Sequence, residues 1–377
     1  MKGALTRRPS PADTQGMSLS TYRIAFPAGF RPLVECLAKR DFGSSSLIDA
    51  DESSLTIRPN IPYRVPAYAQ NSSLVIDIAR CSGLEEAFRL FASRARDGNP
   101  RQELSRAFRD KAFMRTGRAN RFVVRGFMRS TPSFPGAEAR NALETVISRI
   151  SSAEPDSSHP DVELSVVFRD DGNAYFTAAF QSGKTEQTTE AGELPRQTAR
   201  LLCELSEPSA QDVFLDPFMG SGSLPLERAR MGAYKLIFAS DHNETLVARV
   251  KERLKTKDFE RKKRTFFPKR LDARDLSRFE DGLFTTIVTD PPWGDWEGLD
   301  DAALVDLYAA FLAEAKRVLA PDGRLVLLVG RNDVLERAIA AGPAPTEAER
   351  SDSWRIDTDF PVLISGKKAR AVLLRRR

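Results

Sequence analysis

The residues best suited to chemistry follow a predicted strand, Phe284–Thr289, and read Asp-Pro-Pro-Trp. A strand that stops in this way presents a carboxylate and an aromatic face at its tip, and the fixed φ of proline holds the neighbouring backbone carbonyl rigidly. Taken alone, the tetrapeptide favours a Pro-Pro turn with a buried tryptophan. The choice between that turn and a reactive site depends on what else the fold brings to the same place. The four residues are Asp290, Pro291, Pro292 and Trp293.

A glycine loop precedes this tetrapeptide in the chain, in the segment LDPFMGSGSLPLE at 215–227. Gly220, Ser221 and Gly222 lie between a predicted strand and a predicted helix, where backbone N–H groups can approach a ligand because glycine has no side chain. No Gly-Lys-Ser/Thr follows, so the loop does not match a phosphate-binding loop. Pro225 stands where the dinucleotide fingerprint needs a small residue. The glycines alone are equally consistent with an ordinary tight turn.

Acidic residues follow three consecutive predicted strands. Asp216 opens the glycine loop, Asp241 ends the next strand in FASDHN, and Asp272 follows the third in RLDARDL. A carboxylate in the position of Asp241 can accept both hydroxyls of a ribose. Each acid alone is more often a helix cap or a solvated turn residue. Three such acids beside a glycine loop are not readily explained as caps, so they predict a ligand site.

With these motifs in place, the region 190–377 resembles the class I S-adenosylmethionine-dependent methyltransferases. The resemblance implies that the glycine loop and Asp216 pack against the methionine part of S-adenosylmethionine, that Asp241 holds the ribose, and that Asp272 holds the adenine amine. The cofactor-binding residues that it implies are Asp216, Phe218, Gly220, Ser221, Gly222, Asp241, His242, Asp272 and Ala273.

The tetrapeptide at 290–293 resembles the [D/N/S]-P-P-[Y/F/W] signature of enzymes that methylate exocyclic amines. Such an amine is a poor nucleophile because its lone pair is delocalised into the ring. The Asp290 carboxylate and the Pro291 carbonyl can accept its two hydrogens and direct the lone pair, while Trp293 stacks on the extruded base for roughly 1–3 kcal/mol. The resemblance therefore implies that these residues carry the reaction.

The predicted elements that position these motifs alternate along the chain between strands and helices. After residue 194, apolar runs predict helices at 194–205, 224–231, 244–255 and 302–319 and strands at 213–215, 235–240, 265–271, 284–289 and 369–374, with one further strand in PDGRLVLLVG. Alternation of this kind predicts an α/β Rossmann-like class I methyltransferase domain with a doubly wound, mostly parallel sheet. Ligands bind at the carboxyl ends of the strands of such a sheet.

The amino-terminal half has a different pattern. Strands are predicted at 22–26, 122–127, 162–168 and 174–180 and helices at 30–39 and 137–150, an α+β arrangement. The segment 121–180 resembles a THUMP domain, an RNA-binding module of RNA-modifying enzymes, and the segment from Thr21 resembles the ferredoxin-like domain that commonly precedes it. A basic run between Arg101 and Ser130 suits phosphate contact, although a solvated charged face is the usual fate of such runs. The RNA-binding residues predicted from it are Arg115, Arg118, Arg121 and Arg125.

Composition narrows the classes of function further. The chain has 57 Lys and Arg against 52 Asp and Glu, so a polyanionic partner must be argued from local charge, and a second basic run lies between Lys251 and Arg270. Three cysteines lie far apart and only two histidines are present, so no metal site is predicted. No segment reaches the ~18 apolar residues of a membrane span, and no secretory signal is recognisable. We expect a cytoplasmic protein without a membrane partner.

Together the motifs resemble those of RNA guanosine N2-methyltransferases acting on tRNA. Trp293 departs from the tyrosine more usual in that family, and Asp290 favours the branch that modifies the guanosine at the base of the tRNA D arm. Methylation of rRNA, of adenine N6 or of cytosine N4, and a non-catalytic RNA-binding scaffold remain alternatives. The expected domains are a flexible terminus (1–20), a ferredoxin-like domain (21–100), a THUMP-like domain (101–182), a linker (183–193) and the methyltransferase domain (194–377).

Overall fold

The computed structural model describes residues 20–96, 98–115, 117, 119–181, 193–294, 298–341 and 353–376. Within them the chain forms two β-sheets of nine and seven strands, each covered by helices. The predicted terminus, 1–20, and the predicted linker, 183–193, lie almost wholly outside the described residues.

The first sheet has the order β2-β3-β1-β4-β9-β8-β5-β6, with β7 paired to β5. Its strands are β1 (Thr21–Ala25), β2 (Leu47–Ala50), β3 (Ser54–Ile57), β4 (Asn71–Arg80), β5 (Arg121–Met128), β6 (Thr131–Pro132), β7 (Glu154–Pro155), β8 (Val162–Phe168) and β9 (Asn173–Ala179). Its helices are α1 (Arg31–Phe42), α2 (Leu84–Arg94), α3 (Asn99–Ala107) and α4 (Ala137–Ser151). Strands β4 and β9 pair antiparallel, so the two predicted amino-terminal domains share one sheet. Their boundary near residue 100 stays a prediction.

The second sheet has the order β12-β11-β10-β13-β14-β16-β15. Its strands are β10 (Val213–Asp216), β11 (Leu236–Asp241), β12 (Phe266–Arg270), β13 (Phe284–Thr289), β14 (Leu319–Val329), β15 (Trp354–Ile364) and β16 (Lys367–Arg376). Its helices are α5 (Arg196–Leu205), α6 (Ser223–Arg230), α7 (Glu244–Arg253), α8 (Asp301–Val318) and α9 (Asn332–Ala340). Strands β10 to β14 are parallel, and β16 and β15 run antiparallel to their neighbours. The prediction of a doubly wound, mostly parallel sheet is confirmed.

Parallel pairing explains why the central strands are almost wholly apolar. Helices cover both faces of such a sheet, so strands β10 and β13 are buried along nearly their whole length. The sequence pattern did not predict nine elements, which are β2, β3, β4, β6, β7, β15, α2, α3 and α9. Most of these lie in the amino-terminal half, where the elements are held by pairing across long sequence separations.

The amino-terminal unit, built on the first sheet, contacts the carboxy-terminal unit, built on the second. Helix α1 and the residues just before it lie against α5 and β15. Arg40 of α1 forms a 2.8 Å ion pair with the buried Glu204 of α5. The ring of Phe30 lies 6.4 Å from that of Phe360, and Leu363 donates a backbone hydrogen bond to the carbonyl of Ala28. The amino-terminal unit therefore rests on the antiparallel side of the second sheet.

Helix α6, which follows the glycine loop, is held at its start by a glycine and at its end by a buried ion pair. Gly222 adopts φ +88°, and a Cβ there would lie 2.8 Å from Val250 Cγ2 of α7. Arg228, only 1% exposed, donates to Asp212 Oδ2 at 2.8 Å and to the carbonyls of Ser209 and Ala233. The loop that precedes α6 is thus clamped between the amino end of β10 and the face of α7.

We expect Arg228→Met to lower the free energy of unfolding by about 3 kcal/mol, because it removes the cation 2.8 Å from the buried Asp212 carboxylate and leaves only Arg324, whose Nη2 lies 3.6 Å from Oδ1. The control is Arg337→Met, which breaks the exposed Arg337–Asp333 pair of the carboxy-terminal half and should cost at most about 1 kcal/mol. All three tryptophans (293, 296 and 354) belong to the carboxy-terminal half, so urea unfolding followed by tryptophan fluorescence reports on this half. Equal effects of the two variants would contradict the clamp.

Candidate functional site

The five parallel strands β10 to β14 end at one edge of the second sheet, and the predicted site residues collect there. Asp216 is the last residue of β10, Asp241 the last of β11, and Asp290 follows β13 directly. Strand β10 lies between β11 and β13. The acid that opens the glycine loop therefore stands between the acid expected to hold a ribose and the acid expected to hold an amine.

Asp216 is wholly buried and joins the two sides of the site. Its Oδ1 accepts a 2.6 Å hydrogen bond from Thr289 Oγ1 and a longer one from the backbone N–H of Phe218. Its Oδ2 is buried and has no hydrogen-bond partner among the described residues. Burial is the main reason that the pKa of Asp216 is raised to about 8, and the nearby carboxylates of Asp290 and Asp241 add to the rise. An acid with an unpartnered buried oxygen suits a polar ligand group.

The glycine loop is held by the carboxylate of Asp241. Its Oδ2 accepts from the backbone N–H of Gly220 at 3.0 Å, and its Oδ1 accepts from that of Asn243 at 2.9 Å. No described atom lies within 4 Å of the position where a Cβ of Gly220 would stand, so the loop borders open space. Ser221, on the same loop, contacts Ser223 through its hydroxyl. The structure thus brings Asp241 and the loop together, as their predicted roles require.

The remaining residues predicted to bind the cofactor differ in how they are placed. Phe218 is half-buried with its ring edge-on to Phe311, and Ala273 is buried. The side chain of His242 is 83% exposed. Both carboxylate oxygens of Asp272 accept from Arg274, which also lowers the pKa of Asp272. An adenine amine would have to share the Asp272 carboxylate with Arg274. The role of Asp272 in cofactor binding stays a prediction.

The tetrapeptide contains an internal hydrogen bond that sequence reasoning missed. Trp293 Nε1–H donates to Asp290 Oδ1 at 2.9 Å. The indole also lies against Gly330 at the end of β14, where a Cβ would approach Trp293 Cδ2 to 2.5 Å. Only a glycine at 330 leaves room for the ring. Trp293 therefore fixes the carboxylate of Asp290 in addition to presenting an aromatic ring.

Tyr308 of α8 holds the second proline. Its buried hydroxyl donates to the carbonyl of Pro292 at 2.9 Å, and Pro291 is itself buried. Nothing in the sequence marks Tyr308, which lies 16 residues after Pro292 inside an apolar helix. The only signal is the helix register, which points this tyrosine at a strand tip. That register can be recognised only once the tertiary fold is known.

The arginines predicted to bind RNA lie on and near β5 of the first sheet. In sequence they are far from the strand tips of the second sheet. Arg115 forms an ion pair with a glutamate of β8, and Arg121 Nε lies 3.5 Å from Asp161 Oδ2. Arg125 is exposed on β5 and forms no ion pair with any described residue. Arg118 is not among the residues that the structure describes. Two of these arginines already face carboxylates, and RNA contact by the set stays a prediction.

Two kinds of site are absent from the part of the chain that the structure describes. It has no group of three or more His, Cys, Asp or Glu side chains that could hold a metal ion. Nor does any helix among these described residues have the length and apolar character needed to cross a membrane.

Comparisons with known proteins agree with this geometry. The family model described as UPF0020, RMKL-like, methyltransferase domain, matches residues 184–352. A Thermus thermophilus tRNA (guanine(6)-N2)-methyltransferase is 33% identical over 152 residues, 40% of this chain and 44% of that protein. A Methanothermobacter thermautotrophicus tRNA (guanine(10)-N2)-dimethyltransferase is 32% identical over 139 residues, 36% of this chain and 38% of that protein. The chain thus spans less than half the length of these curated relatives.

The fold extends the likeness to the amino-terminal half. The crystal structure of TrmN from Thermus thermophilus superposes with a TM-score of 0.71 and 22% identity, covering 95% of this chain and 100% of that one. At this identity the likeness concerns the fold, and it includes both sheets. The strand-tip acids, the glycine loop and the match to the UPF0020, RMKL-like, methyltransferase domain model coincide in one region of this chain, residues 184–352.

Proposed function

We propose that the protein transfers a methyl group from S-adenosylmethionine to the exocyclic N2 amine of a guanosine in tRNA. The observation that carries the proposal is the buried hydrogen bond between Thr289 and Asp216. It holds the end of β13, which leads into Asp290, beside the end of β10, which leads into the glycine loop. The named activities of the two relatives support the choice of guanosine N2 and of tRNA.

The residues at the edge of β10 and β11 fit S-adenosylmethionine. Asp241 offers a carboxylate to ribose hydroxyls while it holds the N–H of Gly220, and the open space beside Gly220 admits a ligand against the backbone. The unpartnered Oδ2 of Asp216 and the unpartnered Oγ of Ser240 are buried polar atoms that a bound ligand could satisfy. The cofactor supplies an electrophilic methyl group on a sulfonium.

The residues at the tip of β13 would bind and orient the acceptor. The Asp290 carboxylate and the Pro291 carbonyl accept the amine hydrogens, which directs the lone pair of the nitrogen away from the ring. The amine becomes acidic as it is methylated, and its proton leaves to Asp290 or to water. Correct orientation dominates such a reaction, since it can contribute on the order of 7–11 kcal/mol.

The Trp293 side chain would have two tasks. Its indole N–H fixes the rotamer of Asp290, and its contact with Gly330 fixes the ring itself. Tyr308 holds the backbone at Pro292 from the other side. The amine acceptors are thus preorganised by neighbours that cannot move without disturbing β14 or α8, and preorganisation of this kind reduces the cost of reaching the reactive geometry.

We further propose that the amino-terminal half is a ferredoxin-like and THUMP-like RNA-binding region. The superposition that covers both sheets supports this assignment. The relatives named above act on guanine 6 or guanine 10 of tRNA, so either position is compatible with the proposal. Methylation of adenine N6 or cytosine N4 would use the same acceptor pair. The methylated nucleoside that is formed distinguishes these reactions from methylation of guanosine N2.

For cofactor binding, we expect Asp241→Ala to weaken the affinity for S-adenosylmethionine at least tenfold, because hydrogen bonds to a charged acceptor contribute roughly 1.5–3 kcal/mol. The matched control is Glu244→Ala, which removes an exposed carboxylate three positions away and should leave the affinity unchanged. Isothermal calorimetry on the full chain measures both. No binding by the unaltered protein would refute the cofactor, whereas normal binding by Asp241→Ala would refute only the role of Asp241.

For the reaction, tRNA incubated with the protein and S-adenosylmethionine should yield N2-methylguanosine after digestion to nucleosides. Asp290→Ala should lower turnover more than about tenfold, a loss above ~1.4 kcal/mol, with cofactor and tRNA binding nearly intact, because the contact is made mainly in the transition state. Asp290→Asn keeps an acceptor oxygen for the amine and for Trp293, and it should retain most of the activity.

Three outcomes would contradict this assignment in different ways. N6-methyladenosine or N4-methylcytidine as the product would replace the guanosine and keep the amine chemistry. Turnover by Asp290→Ala above a tenth of normal would remove Asp290 from the reaction. No methylated nucleoside from any RNA, with cofactor binding intact, would favour the RNA-binding scaffold.

For Trp293, we expect Trp293→Phe to lower kcat roughly 3- to 10-fold with little change in the KM for tRNA, because it keeps an aromatic ring and removes the N–H that orients Asp290. Trp293→Ala should also raise the KM, because stacking is lost. Steady-state kinetics at saturating cofactor separate the two parameters. A normal kcat for Trp293→Phe would mean that stacking is the whole contribution of this side chain.

A further inference from the structure

The second basic run, 251–270, has no part in the site described above. It contains ten Lys and Arg against three Asp and Glu, a local charge of +7, while the whole chain has +5. The other 357 residues therefore hold 47 Lys and Arg against 49 Asp and Glu. Like the run at 101–130, whose nine Lys and Arg against two Asp and Glu also give +7, this segment alone has more net positive charge than the whole chain.

The structure keeps much of this charge exposed and unpaired. We name as the basic edge the six residues of the run that are exposed and form no ion pair with a described residue: Lys251, Lys257, Arg261, Lys263, Arg264 and Lys269. The run at 101–130 has fewer such cations: Arg101, Arg109, Lys111 and Arg125 are exposed and form no ion pair with a described residue. Four of its arginines are paired with carboxylates of the chain: Arg106, Arg115, Arg121 and Arg129.

Buried anchors hold the basic edge in shape. The loop between α7 and β12 is tied down by Leu254, Phe259 and Phe266, which are all nearly inaccessible. Lys262, between two members of the edge, turns inward and donates to the carbonyl of Ala229. Arg230 covers the ring of Phe259 at 4.8 Å. The cations around these anchors are therefore presented by an ordered loop.

The basic edge runs along the open side of the second sheet. Strand β12 is the outermost strand, and its other side has no strand paired to it within the described chain. Arg264 lies at its amino end. Lys269 and Arg270 lie at its carboxyl end, where Arg270 Nε donates to the carbonyl of His242 beside Asp241. From Arg264 to Arg270 the cations thus extend about 20 Å along the outermost strand, toward the edge of the sheet where the candidate site lies.

Two simpler explanations account for only part of this arrangement. Charged residues protect an unpaired strand edge from association, but that needs only the one or two cations on β12 itself. A solvated face accounts for isolated charges, yet ordinary surfaces intersperse both signs, and this loop gathers same-sign charges that repel each other. A polyanion bound along the edge relieves that repulsion.

We propose that the basic edge binds the phosphodiester backbone of the RNA substrate outside the target nucleotide. This inference rests on the proposed function, because it needs a structured RNA whose target base lies at the tips of β10 and β13. The rest of the RNA then follows the side of the sheet on which β11 and β12 lie. Specificity does not come from this contact, since phosphates carry no sequence information.

The test is the salt dependence of tRNA affinity, measured by fluorescence anisotropy with the full chain. The variant Arg261→Glu/Lys263→Glu/Arg264→Glu removes three cations of the edge. The control Lys39→Glu/Arg278→Glu/Lys368→Glu reverses three exposed cations elsewhere, and both change the formal net charge from +5 to −1. Each phosphate contact contributes about 0.7–0.9 to the slope of log K against log salt. The edge variant should flatten the slope by roughly two to three units, and the control should not.

The edge variant should also raise the KM for tRNA, with kcat and S-adenosylmethionine affinity unchanged, because the reversed residues lie at the far end of β12. An unaltered slope, or equal flattening by the control, overturns the inference while leaving the proposed function standing. Failure of the unaltered protein to bind tRNA overturns both. Binding of anionic phosphatidylserine vesicles that tRNA does not displace assigns the edge to a membrane surface and likewise overturns it.

Discussion

The hydrogen bond from Thr289 Oγ1 to Asp216 Oδ1 is the constraint on which the rest of the site depends. It is buried between adjacent parallel strands, where water cannot replace either partner, so breaking it would leave two polar atoms unsatisfied. Each partner is followed directly by a segment of the candidate site: Asp216 by the glycine loop and Thr289 by Asp290. Their relative position is therefore fixed to within the tolerance of one short hydrogen bond.

The opposite end of the same strands explains why this bond can stay fixed. Asp212 receives Arg228 from α6 and Thr286 from β13, so β10, β13 and α6 are also joined at their far end. Ligand contacts at the tips then act on a frame that is pinned at both ends. Burial raises the pKa of Asp216, which favours the neutral form of this acid inside the frame.

The sequence predicted the second sheet well because its strands and helices have clear periods, and the candidate site residues follow directly on strands. Asp216, Gly220, Gly222, Asp241 and Asp290 could be located in this way. Contacts made through tertiary structure could not. The partners Thr289, Tyr308 and Gly330 lie inside ordinary apolar segments, and only the fold shows what they touch. The first sheet was harder for the same reason, since β4 joins β9 across about a hundred residues.

The charge distribution shows the same limit. Two basic runs look equivalent in the sequence, each with a net charge of +7. Pairing across the first sheet brings carboxylates of β8 and its flanking loops to three arginines of the first run, Arg115, Arg121 and Arg129. The second run ends on an outermost strand, where few carboxylates can be brought to it. Position in the sheet, and not composition, therefore decides which cations remain available to a polyanion.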